Sequence, residues 1–243
     1  MNAWARIPCP AYDLAADGAA LRMTLSGAEV AFRASGALWI EAERALVIAD
    51  LHLEKGSSYA SRGQMLPPYD TREALARLAV EVAAAAPRLL IMLGDAFHDA
   101  RAAERLAADD AEAIGALARG RTLVWVTGNH DPEPPRGLPG EASGELELCG
   151  LRLRHEPEAG PAPREASGHL HPCARVAAAG RSVRRRCFVT DGERVILPAF
   201  GAYAGGLNIR DEAFAGLFAR PPLAIALGAL RAHAVGWKST RPD

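Results

Sequence analysis

The feature that most constrains the fold is a set of three short apolar runs, each followed within two residues by a side chain that can bind a metal. The runs occupy residues 46–49, 89–93 and 123–127, and they are followed by Asp50, Asp95 and Asn129. Runs of four or five apolar residues, rich in leucine, isoleucine and valine, are typical of strands buried on both faces. Open α/β folds place their functional sites at the carboxyl ends of such strands. We therefore predict a buried parallel sheet with polar side chains along one edge.

Two segments between these runs predict helices that cover the sheet. Residues 70–86 carry an apolar stripe, and Asp70 and Glu73 give a start that resembles a capping box. The second helix should extend over residues 102–117. Residues 53–69 contain no periodicity and are predicted to be a long polar loop. An alternation of strand and helix favours a mainly parallel sheet with helices on its outer face.

The remaining segments predict antiparallel strands joined by short turns. Their boundaries are residues 21–25, 29–34, 37–41, 146–149, 151–155, 175–178, 182–190, 194–197 and 223–228. We expect two sheets packed face to face with helices outside, an α+β/α/β architecture. Because no linker separates the halves, residues 19–235 are predicted to be one domain, between an irregular arm at 1–18 and a tail at 236–243.

Composition and charge exclude several classes of protein. The 243 residues carry a net charge of −1, so bulk charge predicts no polyanion partner, and 49% are hydrophobic, which is ordinary for a globular domain. Residues 1–150 have a balance of −7 and residues 151–243 a balance of +6, so the second half could face a polyanion. Four cysteines without a Cys-x-x-Cys pair favour a reduced, cytoplasmic protein. Neither a signal peptide nor an apolar stretch of roughly 18 residues is evident, so no membrane association is expected.

Eight metal-capable side chains lie at predicted element ends and include five of the seven histidines: Asp50, His52, Asp95, Asn129, His130, His155, His169 and His171. Taken alone, Asp50 and His52 would more simply be a capping aspartate and a surface histidine. The whole set of carboxylates and imidazoles suits Mn, Fe, Zn, Co or Ni better than Mg, which prefers oxygen ligands. A set of this size exceeds the number of ligands that one ion with an open coordination position needs. It fits two ions that share a bridging carboxylate.

The order of the motifs resembles the signature of the calcineurin-like metallophosphoesterases. The matching elements are Asp50-x-His52, Gly94-Asp95, Gly128-Asn129-His130-Asp131, His155 and Gly168-His169-x-His171. The resemblance covers residues 44–172 and implies a four-layer αββα sandwich of two mixed β-sheets with outer helices. It implies that one metal ion is bound by Asp50, His52, Asp95 and His171. It implies that the second ion is bound by Asp95, Asn129, His155 and His169.

The same resemblance implies roles in a reaction at phosphorus. His130 contacts the scissile phosphate instead of a metal, and Asp131 orients His130. The resemblance also implies that a water between two bound cations would lose its proton and attack phosphorus in line. Protein phosphatases of this superfamily continue Gly-Asp with Asp-Arg-Gly, whereas this chain continues with Ala96-Phe97-His98-Asp99. That form resembles the nuclease subunit of double-strand-break repair complexes, in which the histidine matching His98 lies beside the substrate. The other interpretation is that His98 caps the following helix.

Further motifs resemble the bacterial ligase-associated DNA damage response endonucleases, which are PdeM-like phosphoesterases. These motifs lie at residues 50–56, 62–64, 66–71 and 197–203. The resemblance implies a manganese-dependent endonuclease that acts on single-stranded DNA in repair, with a ligase, a helicase or an exonuclease as candidate protein partners. The alternative function is hydrolysis of a small phosphodiester or pyrophosphate, in a nucleotide or a lipid-linked substrate. A non-catalytic scaffold is disfavoured because no predicted metal ligand is missing.

Residues suited to contact with DNA also occur outside the metal motifs. In the loop at 53–69, Lys55 and Arg62 suit phosphates and Tyr59 suits a base, and the alternative is a solvated loop. The densest basic run, residues 184–186, is either a solvated strand edge or a DNA contact.

Overall fold

The computed structural model describes residues 15–17, 20–178 and 181–243. Most of the predicted arm at 1–18 lies outside the described residues. Its described part, Ala15–Asp17, is a strand that pairs with the next strand of the chain, so this part is not irregular.

The first sheet contains eight strands that follow one another in chain order. They are β1 Ala15–Asp17, β2 Ala20–Leu25, β3 Ala28–Phe32, β4 Leu38–Ile40, β5 Ala45–Ile48, β6 Leu89–Leu93, β7 Thr122–Val126 and β8 Glu141–Ser143. The pairs from β1 to β5 are antiparallel, and those from β5 to β8 are parallel. Three parallel strands, β5 to β7, therefore end at one edge of the sheet. The side chains that follow them are those predicted to bind metal.

The described residues form four α-helices, two of them longer than two turns. They are α1 Lys55–Ala60, α2 Asp70–Ala85, α3 Ala102–Arg105 and α4 Ala108–Ala118. Leu78 and Val82 of α2, with Ile114 and Leu117 of α4, pack on the face of the first sheet that points away from the second sheet. These helices form the outer layer that the alternation of strand and helix predicts.

Three features of the helices differ from the sequence predictions. The predicted loop at 53–69 contains α1. The second predicted helix is divided into α3 and α4 because Leu106 adopts an extended conformation between them. Asp70 does not cap α2, because its Oδ2 atom accepts a hydrogen bond from the backbone N–H of Gly56 at 3.0 Å.

The second sheet contains ten strands. They are β9 Glu145–Leu148, β10 Leu151–Arg154, β11 Glu165–Ser167, β12 Pro172–Ala178, β13 Arg181–Thr190, β14 Arg194–Ile196, β15 Leu207–Asn208, β16 Leu223–Leu227, β17 Ala232–Gly236 and β18 Thr240–Arg241. The strand β11 is parallel to both β10 and β14, β15 is parallel to β12, and the other pairs are antiparallel. Two mixed sheets are thus confirmed, and every predicted strand is present.

The main core lies between the two sheets. Val47 and Ile91 of the first sheet pack against the layer that contains Leu153 and Ile225 of the second, and the rings of Phe32 and Phe188 meet at 5.1 Å between centroids. Successive strand residues point to opposite faces, so the neighbours of Val47 and Ile91 pack beneath the helices. Burial on both faces explains why β5, β6 and β7 are uninterrupted apolar runs.

The fourth layer differs from the expected helical one. The outer face of the second sheet is covered by Phe214, Leu217, Phe218 and Trp237, which come from 3₁₀ helices and irregular segments. Within the described ranges, no α-helix packs there. The predicted tail at 236–243 is packed on the second sheet, because Trp237 is buried in this layer and β18 pairs with β12 in the sheet itself. Among the helices described, none is long and apolar enough to cross a membrane.

Candidate metal centre

Loops from both sheets bring the predicted ligands to one place. Asp50 and His52 follow β5, Asp95 follows β6, and Asn129 follows β7. From the second sheet, His155 follows β10, and His169 and His171 lie in the loop between β11 and β12. Backbone pairing connects the two sheets at this edge, since the N–H of Phe200 donates to the carbonyl of Ala49 at 2.8 Å.

The first group of ligand atoms belongs to Asp50, His52 and His171. The Nε2 atoms of the two histidines lie 3.1 Å apart, and Nε2 of His171 lies 3.3 Å from Oδ1 of Asp50. These atoms all carry lone pairs when the imidazoles are neutral and protonated at Nδ1, and in that tautomer they converge on a position that suits a cation.

The second group belongs to Asn129, His155 and His169, and its ligand atoms form a triangle. Oδ1 of Asn129 lies 2.9 Å from Nε2 of His155 and 3.0 Å from Nδ1 of His169, and the two nitrogens lie 3.2 Å apart. Metal–ligand bonds of about 2.0–2.2 Å set neighbouring ligand atoms roughly 3 Å apart. The spacing therefore fits a divalent ion.

Asp95 lies between the two groups. Its Oδ1 atom is 3.4 Å from Nε2 of His155, and its Oδ2 atom is 3.8 Å from Nε2 of His52. One carboxylate oxygen thus faces each group, which is the arrangement expected of a bridging ligand. The structure brings together all seven residues that the sequence predicts as ligands.

Electrostatics favours the cation-binding protonation states of His52 and Asp95 but not that of His155. Burial opposes the positive charge of His155, but its hydrogen bond to Asp95 and the charge of Asp50 outweigh burial and raise its pKa. Burial and then repulsion from His171 lower the pKa of His52 to about 2, so this imidazole is neutral. Burial opposes ionisation of Asp95, but the hydrogen bond and positive charge of His155 outweigh it and lower the pKa of Asp95 to about 2. Nδ1 of His52 is buried without a hydrogen-bond partner among the described residues.

The backbone is strained at the ligands. The φ angles of Asp50, His52, Asp95, His169 and His171 are +54°, +46°, +44°, +69° and +45°. Residues other than glycine adopt this left-handed region at a cost of about 1 kcal/mol or more each, and such strain concentrates at functional sites. Sequence reasoning missed this feature, because side-chain type alone does not reveal it.

Two glycines allow the ligand loops to approach each other. A Cβ atom on Gly94 would lie 2.2 Å from Nδ1 of His155, and one on Gly128 would lie 2.2 Å from Oδ1 of Asp95. Any side chain at either position would therefore displace a ligand. The glycines that precede Asp95 and Asn129 in the motifs thus have a steric role.

His130 faces the ligand cluster with its orientation fixed by a backbone carbonyl. Its Nδ1 atom lies 2.7 Å from the carbonyl oxygen of His98, so Nδ1–H donates, and its Nε2 atom lies 3.9 Å from Oδ2 of Asp95. The prediction that Asp131 orients His130 is wrong. The carboxylate of Asp131 is turned away, where it accepts hydrogen bonds from the N–H groups of Phe97 at 3.0 Å and Gly128 at 3.2 Å. Burial raises the pKa of Asp131 to about 6.

His98 is stacked on His130, with ring centroids 5.4 Å apart and planes 28° apart. It does not cap a helix, because α3 begins at Ala102 and is preceded by Arg101 at the capping position. Burial, and then the nearby charge of Lys55, lower the pKa of His98 to about 4, so it is neutral at pH 7. His98 is therefore a neutral ring beside the candidate reaction site.

The three predicted DNA contacts surround His98. The ring of Tyr59 lies 5.9 Å from that of His98, and Nζ of Lys55 lies 6.0 Å from the Tyr59 ring. Arg62 is exposed, and its charge also lowers the pKa of His98. Lys55 and Tyr59 lie on α1 and Arg62 follows it, and His98 lies between Tyr59 and the ligand His52, whose ring centroid is 5.6 Å from that of His98.

Two buried residues that sequence reasoning did not single out hold α1 in this position. Oγ1 of Thr71 donates to Oε1 of Glu54 at 2.9 Å and accepts from the N–H of Glu54 at 2.8 Å. The sequence motifs at residues 50–56 and 66–71 therefore contact each other in the folded chain. The sequence offered no signal for either residue, because both the burial of Glu54 and the helix after it depend on this tertiary contact.

Comparison with known proteins settles the family. The calcineurin-like phosphoesterase model matches residues 43–174, which is more than half of the chain. The chain belongs to the calcineurin-like phosphoesterases. Members of this family are metal-dependent hydrolases of phosphate esters, and the candidate metal centre of this phosphoesterase lies within the matched residues.

Two solved structures are similar to this calcineurin-like phosphoesterase. Pseudomonas putida nuclease MPE is 29% identical, with a TM-score of 0.67, and the match covers 88% of this chain and 100% of that one. Yfce, a phosphoesterase from E. coli, is 16% identical, with a TM-score of 0.39 and coverage of 79% and 98%. Among curated proteins, none matches at a significant level.

Proposed function

We propose that this phosphoesterase is a manganese-dependent endonuclease that cleaves single-stranded DNA in DNA repair. The observation that carries the proposal is the set of rings and cations beside the metal ligands. The rings of His130, His98 and Tyr59 follow one another outward from the ligand cluster, with Lys55 beside the last ring. Aromatic rings with adjacent cations suit the bases and phosphates of a single strand. The similarity to a nuclease over the whole of that nuclease's chain supports the same substrate class.

The residues that would hold two ions are those predicted from the sequence. Asp50, His52, Asp95 and His171 would bind one ion. Asp95, Asn129, His155 and His169 would bind the other. When bound, two divalent cations neutralise charge on a phosphate and lower the pKa of water. The mixture of imidazole, amide and carboxylate ligands suits Mn²⁺.

The remaining residues orient the substrate and move a proton. His130 is fixed through its Nδ1–H group, and when Nε2 also carries a proton this second N–H can donate to a phosphate oxygen or give its proton to the departing alkoxide. Because His98 is neutral and stacked on His130, it keeps the ring in place without adding charge. Lys55 and Arg62 would bind phosphates that flank the scissile one, and Tyr59 would stack on a base.

The second candidate function is hydrolysis of a small diester or pyrophosphate. A pocket of about 380 Å³ adjoins Asp131 and offers room for a small substituent. Its lining includes Asp99, Glu104 and Glu133, and each of these carboxylates is paired with an arginine. A small diester and a pyrophosphate are therefore both alternative substrates.

Circular single-stranded DNA and bis(4-nitrophenyl) phosphate separate the two functions. With Mn²⁺, the wild-type protein should cut the circle into linear fragments. His130→Ala should lose most of this cleavage yet retain the metal content of the wild type, measured by mass spectrometry. Asp95→Ala should lose both cleavage and metal. His233→Ala is the matched control, because His233 is exposed on β17 of the second sheet, and it should behave as the wild type.

Two outcomes would contradict the proposal. Turnover of the small diester without any DNA cleavage would establish the alternative substrate class. Normal DNA cleavage by Asp95→Ala would exclude a centre in which this carboxylate joins two ions.

A further inference from the structure

The hairpin of β12 and β13 begins directly after the ligand His171 and carries arginines at opposed positions. Strand register pairs Arg175 of β12 with Arg184 of β13 on one side. On the other side it pairs Arg175 with Arg241 of β18. Directly opposed residues project from the same face with Cβ atoms about 4.5–5.5 Å apart. We call Arg175, Arg184 and Arg241 the arginine row.

The row has more positive charge than its surroundings neutralise. Nε of Arg184 lies 3.3 Å from Oδ1 of Asp243, which is the row's one ion-pair partner within the part of the chain that the structure describes. Nε of Arg175 donates to Oγ of Ser182 at 3.3 Å, and Arg241 donates to the carbonyl of Lys238 at 2.7 Å. Like charges at opposed positions destabilise a sheet. An anion bound across the row would remove this cost.

Protection of a sheet edge does not account for the row. Charged residues on an outermost strand discourage pairing between molecules, and this role needs charge on that strand alone. Arg175 lies on β12, which has β13 on one side and β15 and β18 on the other. Its charge is therefore inside the sheet, between two other arginines.

The row is connected to the metal centre by one segment, residues 199–206. Arg184 donates to the carbonyl of Gly206. Arg186, on the same face of β13, donates to the carbonyls of Ala199 at 2.9 Å and Gly201 at 3.1 Å. The N–H of Gly201 in turn donates to the carbonyl of the ligand Asp50 at 3.1 Å. Arg175 is four residues beyond His171 along a strand, so their Cα atoms are about 13 Å apart.

We propose that the arginine row binds the phosphate backbone of a single-stranded nucleic acid whose scissile phosphate lies at the metal centre. Guanidinium groups bind phosphate oxygens through paired hydrogen bonds. A polymer reaches both the row and the centre, whereas a small diester reaches only the centre. The inference rests on the proposed function and adds a second binding surface that favours polymers.

The test compares two triple variants with the same change in net charge. The row variant is Arg175→Gln, Arg184→Gln, Arg241→Gln. The control variant is Arg88→Gln, Arg119→Gln, Arg231→Gln, which removes three exposed arginines elsewhere. Both are made in the His130→Ala protein loaded with Mn²⁺, so that DNA binds without being cut. Binding of a fluorescein-labelled oligothymidylate is measured by anisotropy over a range of NaCl concentrations.

The row variant should bind at least about tenfold more weakly than the control variant, and its slope of log affinity against log salt should be shallower by about 2. Its melting temperature should not fall, because like-charge repulsion is removed. Equal affinities and equal slopes for the two variants would overturn the inference, as would a parent protein that does not bind the oligonucleotide.

Hydrolysis of bis(4-nitrophenyl) phosphate distinguishes failure of the inference from failure of the proposed function. With His130 intact, both triple variants should hydrolyse this diester within about twofold of the wild-type rate, because the row lies outside the centre. A wild-type protein that fails to hydrolyse the diester contradicts the proposed chemistry. In that case, the binding comparison of the two triple variants still tests whether the arginine row binds DNA.

Discussion

Replacement of Gly94 by alanine tests whether the position of His155 depends on a missing side chain. A Cβ atom there would lie 2.2, 2.3 and 2.5 Å from Nδ1, Cγ and Cβ of His155. Gly120 offers a matched control. Its φ angle is +73° against +74° for Gly94, and a Cβ atom on it would meet nothing within 4 Å. Alanine therefore meets the same backbone strain at both positions and the clash at only one.

The expected loss in free energy of unfolding is the sum of the backbone strain and the steric clash. A left-handed alanine costs about 1 kcal/mol. Overpacking against a buried side chain adds about 1–3 kcal/mol. Gly120→Ala should thus lose about 1 kcal/mol, and Gly94→Ala about 2–4 kcal/mol. At roughly 2–4 °C per kcal/mol for a chain of this size, the melting temperature of Gly94→Ala should lie at least a few degrees below that of Gly120→Ala.

Metal binding gives the more specific measurement. If the displaced imidazole of His155 lowers the affinity for Mn²⁺ about a hundredfold, the stabilisation by excess metal should decrease by about 2.7 kcal/mol. Thermal unfolding with Mn²⁺ and with a chelator should show a reduced metal-dependent shift for Gly94→Ala and the wild-type shift for Gly120→Ala. Equal shifts for the two variants would refute the assignment of His155 as a ligand held by this contact.

Three other predictions concern single contacts. Asn129→Ala should weaken binding of one Mn²⁺ ion in isothermal titration calorimetry, because an amide oxygen 2.9 Å from one imidazole nitrogen and 3.0 Å from another is lost. Glu165→Gln should reduce the free energy of unfolding by about 3–5 kcal/mol in urea, since it removes the carboxylate 3.0 Å from the buried guanidinium of Arg194 and leaves that charge with backbone carbonyls as acceptors. Burial opposes ionisation of Asp99, but hydrogen bonds from Arg105 and others lower its pKa to about 2. A lowered pKa stabilises the folded state above the ordinary value of 3.8, so the loss of stability in Asp99→Asn should be full at pH 6 and shrink as the pH falls toward 2.

Twelve of the eighteen strands described, and the meeting of the polar residues that follow β5, β6 and β7, could be predicted from the sequence for a physical reason. Strand β6 was predicted with its observed limits, Leu89–Leu93, because a strand buried on both faces must be apolar throughout. The ends of parallel strands meet at one edge, so the polar residues that follow β5, β6 and β7 could be placed together without knowledge of the turns. Local composition and simple topology were sufficient for these, whereas His155, His169 and His171 were predicted as ligands from the family resemblance.

Helix α1 could not be predicted because its stability is tertiary. Gly56, Ser57 and Ser58 are poor helix formers, and no periodic apolar stripe marks the segment. The helix is held by contacts between Glu54 and Thr71, 17 residues apart. Asp131 also could not be placed from local sequence. Its position next to His130 suggested a contact between the two side chains, but its carboxylate accepts a hydrogen bond from the backbone N–H of Phe97, 34 residues away.

The strain at the ligands indicates how the centre and the fold depend on each other. Five left-handed residues among seven predicted ligands cost on the order of 5 kcal/mol in total, a large share of the stability of a typical domain. The seven predicted ligands come from loops of both sheets, and the ligand atoms of Asn129, His169 and Asp95 lie 2.9–3.4 Å from Nε2 of His155. Bound cations would replace the repulsion between these ligand atoms with metal–ligand bonds. The free energy of metal binding would then offset the backbone strain at the ligands. The edge where the two sheets meet should therefore be the part of the molecule whose stability responds most to metal, and hydrogen exchange should slow first in the ligand loops when Mn²⁺ is added.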